Sequence, residues 1–141
     1  MKDRPAYWNG IYTGIQFQCV ELARRYLLAN YGLLFNNVDN AHEIFALRTI
    51  QLRSDQHLYW QSHPNRACHL PPPGSLIIWA PKGHYETTGH VAVVVKSTQD
   101  YVDIIEQNDG RGYRRLRVKD GKLHCKRPGS EILGWKMFPL L

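Results

Sequence analysis

One cysteine of this chain stands at the start of a predicted helix. Cys19 lies at the front of an amphipathic run that ends near Tyr31. The glycine-containing segment 11–14, a few residues before it, is predicted as a loop that leads into the helix. A thiol at a helix N-terminus feels the positive end of the helix dipole, which favours the thiolate. A thiolate attacks carbonyl carbon, so this position predicts a nucleophile that needs a histidine to accept its proton and a third group to orient that histidine.

Seven histidines could serve as the base, and strand pairing singles out His90. Residues 90–95 and 101–106 are predicted as adjacent antiparallel strands, and a turn about Thr98 would place His90 directly opposite Glu106. The carboxylate could then hold one imidazole nitrogen and leave the other for the thiol. A slip of one residue would put the two side chains on opposite faces. The alternative interpretation is an ordinary buried cysteine, a strand-end histidine bound by backbone and an exposed glutamate.

Gly89 precedes this histidine, and a residue without a side chain would let another backbone or a substrate approach closely.

The bulk composition is typical of one globular domain spanning residues 1–141. The chain is 43% hydrophobic and 11% aromatic, so it can bury a core. No apolar run approaches the roughly 20 residues that span a bilayer, and the polar first residues open no signal segment. We therefore expect a cytoplasmic protein without a membrane partner. The net charge of +6 is spread along the chain, which favours a solvated surface over nucleic-acid binding.

The three cysteines, Cys19, Cys68 and Cys125, do not form a disulfide framework, because their number is odd and their spacing irregular. Cys68-His69 and His124-Cys125 could be imagined as zinc ligands. Neither pair has the spacing of a closed tetrahedral site, so no metal is predicted.

The order of elements predicts an α+β fold, with helices first and an antiparallel sheet of five to six strands after them. The first helix, 18–31, has an apolar face of Val20, Ala23, Leu27 and Tyr31, with Glu21 and Arg24 elsewhere on the wheel and Gly32 as its stop. A second helix is predicted from Asn40, where Asn40-x-x-Glu43 resembles a capping box. Residues 54–69 have no clean period and are interpreted as a long connection. The predicted strands are residues 75–79, 90–95, 101–106, 113–118, 122–126 and 132–138.

Residues 11–25, centred on Gln18-Cys19-Val20-Glu21, resemble the nucleophile segment of CHAP amidases, the cysteine, histidine-dependent amidohydrolases and peptidases. The likeness is greatest to the glutathionylspermidine amidase branch, which includes the amidase halves of bifunctional glutathionylspermidine and trypanothione synthetases. Residues 41–47, 89–92, 106–108 and 133–135 follow in the order of that branch. The resemblance implies a papain-like fold of the CHAP/NlpC-P60 type, with N-terminal helices packed on the sheet.

The same resemblance implies roles for individual residues. Cys19 would be the nucleophile, His90 the base and Glu106 the orienting carboxylate. The Cys19 backbone N–H and the Gln18 side chain would meet the oxyanion, and Asn108 would line the site. Arg24 would contact an anionic substrate group, or else lie on the helix surface.

The implied substrate is glutathionylspermidine or a similar small-molecule glutathione–polyamine conjugate or peptide amide, cleaved through a thioester without any cofactor. The ATP-dependent synthetase half of the bifunctional relatives is absent from this sequence, and Leu22 replaces an expected aromatic residue. Two alternatives remain: a CHAP amidase or endopeptidase that cleaves peptidoglycan, and a non-catalytic basic binding module on an amidase fold. The oligomeric state and the roles of Cys68 and Cys125 stay open.

Overall fold

The computed structural model describes residues 4–15, 18–66, 70–107 and 112–137. Strands dominate these residues, with one α-helix and two short 3-10 helices among them. The elements are β1 (Pro5–Trp8), β2 (Ile11–Ile15), α1 (Cys19–Tyr31), β3 (Leu33–Leu34), a first 3-10 helix (Ala41–Ala46), β4 (Thr49–Leu52), β5 (His57–Tyr59), β6 (Ser62–Pro64), β7 (Leu76–Trp79), a second 3-10 helix (Gly83–Tyr85), β8 (His90–Ser97), β9 (Tyr101–Ile105), β10 (Tyr113–Lys119), β11 (Lys122–His124) and β12 (Ile132–Lys136).

A seven-stranded antiparallel sheet forms the body of the fold. Its strand order is β11-β10-β9-β8-β7-β12-β6, so the last strand lies between β7 and β6. Strands β7 to β11 follow one another through short connections, as the sequence predicted. The turn at Asp120-Gly121, with φ of 52° and 74°, joins β10 to β11. Two smaller sheets, β1-β2 and β3-β4-β5, lie outside it.

The predicted α+β class is only partly matched, because the helical part is smaller than expected. The predicted second helix is a 3-10 helix of six residues, Ala41–Ala46. Glu43 reaches back to the Asn40 backbone N–H at 2.6 Å, as in a capping box. The element ends at Leu47, where the backbone turns extended toward β4. The capping box at Asn40 therefore begins a short helical segment. The chain becomes extended after it and enters β4, so no α-helix forms there.

Two stretches for which no strand was predicted form strands in the structure. Residues 6–14 belong to the β1-β2 hairpin, whose turn at Asn9-Gly10 has φ of 48° and 79°. Asn-Gly is a strong hairpin signal, because both residues tolerate the left-handed region. Within 54–69, β5 and β6 add edges to two sheets. Strands of three residues are too short to show a period in sequence.

The main sheet is covered on both faces. Ala23 and Leu27 of α1 pack on one face with Ile78 and Val91. The other face is packed by a second cluster that includes Trp79, Val94, Ile104 and Trp135. Accordingly, β8 is buried continuously from His90 to Val94, as expected of a strand enclosed on both sides.

Helix α1 buries charge as well as apolar surface, and here the predicted wheel was wrong. Glu21 is 1% exposed and accepts hydrogen bonds from Thr13 Oγ1 at 2.6 Å and from Arg25 Nε at 3.1 Å. Tyr31, assigned to the apolar face, is 38% exposed. Gly32 ends the helix in the left-handed region, as predicted, with φ of 67°. The Thr13–Glu21 bond ties β2 to the first turns of α1 and so helps to place Cys19.

A buried lysine joins the sheet to the first 3-10 helix. The side chain of Lys136, on β12, donates to the Leu47 carbonyl, to the Trp60 carbonyl at 3.0 Å and to Ser62 Oγ at 2.9 Å. Burial lowers the pKa of this amine from 10.5 to about 8.

Replacing Lys136 with methionine should change the pH dependence of stability. Between pH 8 and 10.5 the unfolded chain holds a proton on Lys136 that the folded chain has lost, so wild-type stability rises with pH in that window. The Lys136→Met variant lacks this component. The difference in unfolding free energy between wild type and variant should grow by about 3 kcal/mol across the window, measured by urea denaturation at a series of pH values. A constant difference would contradict the low pKa.

In the part of the chain that the structure describes, no helix is both long and apolar enough to cross a bilayer.

Candidate active site

Cys19 is the first residue of α1, as predicted. Gln18 before it is extended, with φ of −96° and ψ of 157°, and its carbonyl accepts the first hydrogen bond of the helix from Leu22 at 3.0 Å. The first N–H groups of a helix have no partner within it, so they are free to meet negative charge. Cys19 is half-buried and packs against the core at the start of the helix, while Gln18 is exposed.

His90 begins β8 and is 2% exposed. Gly89 allows this strand to start close to its neighbours, since its φ is +69° and a Cβ there would lie 2.5 Å from the Trp79 carbonyl oxygen and 2.8 Å from His42 Cβ. The predicted close approach at Gly89 is therefore confirmed, and the approaching groups are protein. They bring the first 3-10 helix against the strand that carries the histidine.

Glu106, directly after β9, holds the imidazole. Its Oε1 lies 2.7 Å from His90 Nε2, and both side chains are buried. An ionised carboxylate only accepts, so Nε2–H is the donor and Nδ1 is left for another partner. The Cys19 side chain forms a hydrogen bond with His90. Burial by itself would lower the pKa of His90, but the bonds and charges of Cys19 and Glu106 outweigh it and raise that pKa to about 9.

The register between β8 and β9 differs from the prediction by two residues. Val93 pairs with Ile105 and Val94 with Ile104, and a bulge at Val95 separates them from the turn. His90 and Glu106 are therefore diagonal neighbours and not directly opposed. A shift of two keeps both side chains on one face, and long side chains bridge such diagonals. The predicted pair forms, although the predicted register was wrong.

Arg114 on β10 is a member of the site that the sequence reasoning missed. Its Nε donates to Glu106 Oε2 at 2.9 Å and its Nη2 donates to Glu106 Oε1 at 3.0 Å, a two-pronged contact. Burial would lower the pKa of this guanidinium, but the Glu106 carboxylate raises it. A signal existed in the sequence: Arg114 alternates with Leu116 and Val118, so it shares their inward face and needs a partner there.

Two aromatic rings enclose the histidine, and neither was predicted. The Tyr85 ring lies parallel to the His90 ring, with centroids 4.6 Å apart and an angle of 4°. Trp79, paired with His90 across β7 and β8, has its ring centroid 5.0 Å away. Tyr85 Oη also accepts from Arg114 Nη2 at 3.0 Å. No sequence signal points to Tyr85, because it belongs to a 3-10 helix of only three residues between two strands.

The remaining predicted site residues are placed differently. Arg24 is 5% exposed and donates to the Phe35 and Tyr12 carbonyls at 3.1 Å each, which favours a structural role over the expected substrate contact. Gln18 makes no capping bond with its side chain. Asn108, Cys68 and His69 lie outside the described residues. Among the residues that are described, no group of three or more His, Cys, Asp or Glu side chains could hold a metal ion.

The described site thus contains a half-buried thiol, a buried histidine and a buried carboxylate, contributed by the start of α1, the start of β8 and the residue after β9. The CHAP domain family matches residues 7–108, the stretch that carries all three. The chain belongs to the CHAP domain family.

Known proteins similar to this CHAP domain agree with that assignment. It is 41% identical over 104 residues to the bifunctional glutathionylspermidine synthetase/amidase of Escherichia coli, which covers 73% of this chain and 17% of that protein. It is 34% identical over 101 residues to trypanothione synthetase of Crithidia fasciculata, and this match covers 71% of this chain and 15% of that protein. The chain therefore spans about a sixth of the length of the curated relatives it matches.

The geometry of this CHAP domain is suited to nucleophilic chemistry on a carbonyl. The thiol belongs to a half-buried residue, and the imidazole that contacts it is bound at its other nitrogen by a buried carboxylate. An imidazole with a pKa near 9 is protonated at neutral pH, which allows a thiolate–imidazolium pair.

Proposed function

We propose that this CHAP domain is a cysteine amidase that hydrolyses an amide bond through a thioester intermediate. The observation that carries the proposal is the bond from His90 Nε2 to buried Glu106, made while the same imidazole contacts Cys19. Nucleophile, base and orienting group are then linked in series.

In the first half of the proposed reaction, the Cys19 thiolate attacks the amide carbonyl carbon and a C–S bond forms. The carbonyl oxygen takes the negative charge, near the first N–H groups of α1 and the Gln18 side chain. Donors of this kind contribute about 10²- to 10³-fold in rate each. When the C–N bond breaks, His90 gives its Nδ1 proton to the departing amine.

In the second half, water hydrolyses the thioester. His90, now neutral, accepts a proton from the attacking water, and the resulting hydroxyl adds to the carbonyl carbon. The C–S bond then breaks and the Cys19 sulfur leaves, restoring the thiolate–imidazolium pair. Glu106 stays bound to Nε2 in both halves, so the imidazole keeps the orientation in which Nδ1 faces the sulfur.

The proposed substrate is glutathionylspermidine, cleaved to glutathione and spermidine. The support is the likeness to relatives named as glutathionylspermidine synthetase/amidase and trypanothione synthetase, which extends over more than two thirds of this chain. A glutathione–polyamine amide carries both charge signs. The cationic half would leave as the amine that His90 protonates.

The substrate assignment predicts selective cleavage in a direct comparison. Purified protein is incubated with glutathionylspermidine and, separately, with a peptidoglycan digest, and mass spectrometry identifies the released amines. We expect free spermidine and glutathione from the first and no change in the second. A Cys19→Ala sample processed in parallel controls for contaminating hydrolases.

Each opposite result selects one of the alternatives. Cleavage of peptidoglycan peptides without release of spermidine would identify a wall-directed CHAP amidase or endopeptidase. If neither substrate is cleaved and Cys19 reacts with iodoacetamide no faster than Cys125, the fold serves as a binding module.

A further inference from the structure

We infer that Arg114 is a positioning residue of this site, which holds the Glu106 carboxylate and the Tyr85 ring in the arrangement that orients His90. The inference rests on the proposed function, since it assigns to Arg114 a part in the same cysteine chemistry. It extends the Cys19–His90–Glu106 series by one residue, which reaches His90 through Glu106 and Tyr85.

Three adjacent strands bring the relevant side chains onto one face of the sheet. His90 is on β8, Glu106 follows β9 and Arg114 is on β10. Arg114 pairs with Ile104 across the strands, so Glu106, two residues further along, is its diagonal neighbour. This is the same relation that His90 has to Glu106 on the other side. The carboxylate is therefore held between an imidazole and a guanidinium.

The hydrogen bonds of Glu106 leave its side chain little freedom. Oε1 meets both His90 Nε2 at 2.7 Å and Arg114 Nη2 at 3.0 Å, while Oε2 accepts from Arg114 Nε at 2.9 Å. The carboxylate is therefore fixed in rotation by the guanidinium fork, and the direction of the Oε1–Nε2 bond is fixed with it.

Arg114 also reaches the other group that sets the plane of the imidazole. Its Nη2 donates to Tyr85 Oη at 3.0 Å, and the Tyr85 ring is stacked on His90. The guanidinium carbon lies 5.3 Å from the centre of the Trp79 ring, which also neighbours the histidine. One side chain thus constrains His90 at its edge, through Glu106, and at its face, through Tyr85.

The charge balance of the site is a second argument for a role of Arg114. With a Cys19 thiolate and a His90 imidazolium, the charges of Cys19, His90, Glu106 and Arg114 sum to zero. With an acylated Cys19 and a neutral His90, Glu106 and Arg114 again sum to zero. Without Arg114, both states would leave one uncompensated negative charge at a buried carboxylate, which is costly.

The neighbouring arginine supplies a matched control. Arg115 makes the same two-pronged contact with a carboxylate, to Asp103 at 2.8 and 3.2 Å, but its side chain is 54% exposed and faces away from the site. Replacing either residue removes one arginine and one two-pronged ion pair from the same strand. A difference between the two variants therefore reports position and not loss of charge.

The test measures the rate at which iodoacetamide alkylates Cys19 as a function of pH, resolved by peptide mass spectrometry. Site resolution is needed because Arg114 Nη1 also lies 3.3 Å from Cys125 Sγ. Several titratable groups of the described residues lie around Arg114, Glu106 and His90 and could change the pH profile. They are Cys19 from α1, His84 and Tyr85 from the second 3-10 helix, and Cys125 after β11.

We expect Arg114→Ala to slow the alkylation of Cys19 at pH 7 by about 10- to 100-fold, as is typical when a partner that orients a functional side chain is lost. The pH midpoint of alkylation should rise by about one unit, because loss of the cation makes a thiolate less favourable. Arg114→Lys keeps the charge but not the fork, so its midpoint should stay near that of wild type while its maximal rate falls. Arg115→Ala should stay within about two-fold of wild type.

Two further measurements separate positioning from general loss of structure. The groove beside β10 and β11, about 1010 Å³ in volume, is lined in part by Arg114, so ethylguanidinium ions can enter the space left by Arg114→Ala. They should restore the alkylation rate in a saturable way, whereas urea should not. Arg114→Ala should slow the Glu106→Gln variant by a smaller factor than it slows wild type, since Arg114 acts in large part through Glu106 and for the rest through Tyr85.

The inference is overturned if Arg114→Ala keeps the wild-type rate and midpoint, or if Arg115→Ala loses as much as Arg114→Ala. It also fails if the effects of the Glu106 and Arg114 variants simply add. If Arg114→Ala does not fold, the test compares the Cys19 alkylation rate of Arg114→Lys with that of Arg115→Lys. A wild-type Cys19 that reacts no faster than Cys125 would instead refute the proposed function, a result that the variants do not influence.

Discussion

Replacing Cys19 with alanine should abolish hydrolysis of the substrate, with a loss on the order of 10⁵- to 10⁶-fold in kcat. The mechanism proposed for this site has no route to the thioester without the sulfur. The residual rate would come only from binding and from the helix donors at the oxyanion. The measurement is the rate of spermidine release at saturating glutathionylspermidine, quantified by mass spectrometry.

Cys125→Ser is the matched control for this variant. Cys125 is also a free, half-buried cysteine, and serine keeps an acceptor for Arg114. It should retain activity within a few-fold of wild type, and both variants should unfold at temperatures close to wild type. A Cys19→Ala protein that still releases spermidine at a comparable rate would exclude the covalent mechanism.

The second large effect is expected from His90→Ala. Loss of the general acid and base should lower kcat/KM by about 10²- to 10⁴-fold. In wild type the pKa of His90 is about 9, so the imidazolium that protonates the leaving amine is lost above that pH. The wild-type profile of kcat/KM should therefore have an alkaline limb near pH 9.

Alkylation of Cys19 in the same variant provides a readout that needs no substrate. Without an imidazolium partner, the thiol should need a more alkaline pH to react, and the rate of labelling at pH 6 should fall by about 10²-fold. His57→Ala is a suitable control, because His57 is exposed on β5, outside the cluster. An alkylation profile unchanged in His90→Ala would show that the histidine does not activate the thiol.

The local elements near the site were well determined by short-range patterns. The N-terminus of α1 at Cys19, the left-handed stop at Gly32 and the Asp120-Gly121 hairpin all follow from residue types at fixed offsets. These features depend on backbone preferences of a few consecutive residues, which the sequence states directly. The same kind of signal at Asn9-Gly10 was present but was not used, so the first hairpin was missed.

The His90–Glu106 pair shows how an alternating pattern can succeed with the wrong register. The hydrophobic alternation of β8 and β9 determines which face each side chain occupies. The bulge at Val95 and the length of the turn determine which residue lies opposite which. A bulge has no clear sequence signature. The face of the sheet on which each side chain lies was therefore predictable, but the residue opposite it on the neighbouring strand was not.

Buried charge was the part that sequence patterns did not reveal. Glu21 and Arg24 were assigned positions away from the apolar face of the helical wheel, yet β2 and the segment around Phe35 enclose them. Charged side chains are rarely buried unless paired. Glu21 has one partner on the same helix, Arg25, but the other partners of Glu21 and Arg24 are 8 to 12 positions away in the sequence. A wheel drawn for one helix cannot contain such partners.

The sequence by itself determined the family, and it indicated a cysteine at a helix start with a histidine and a glutamate on one face of two neighbouring strands. Only the tertiary structure decided what holds the histidine in place. The parallel Tyr85 ring and the Arg114 fork come from a loop and a third strand. Their contact with Glu106 and His90 depends on the order and twist of the whole sheet, because a strand's own pattern specifies its faces but not its neighbours.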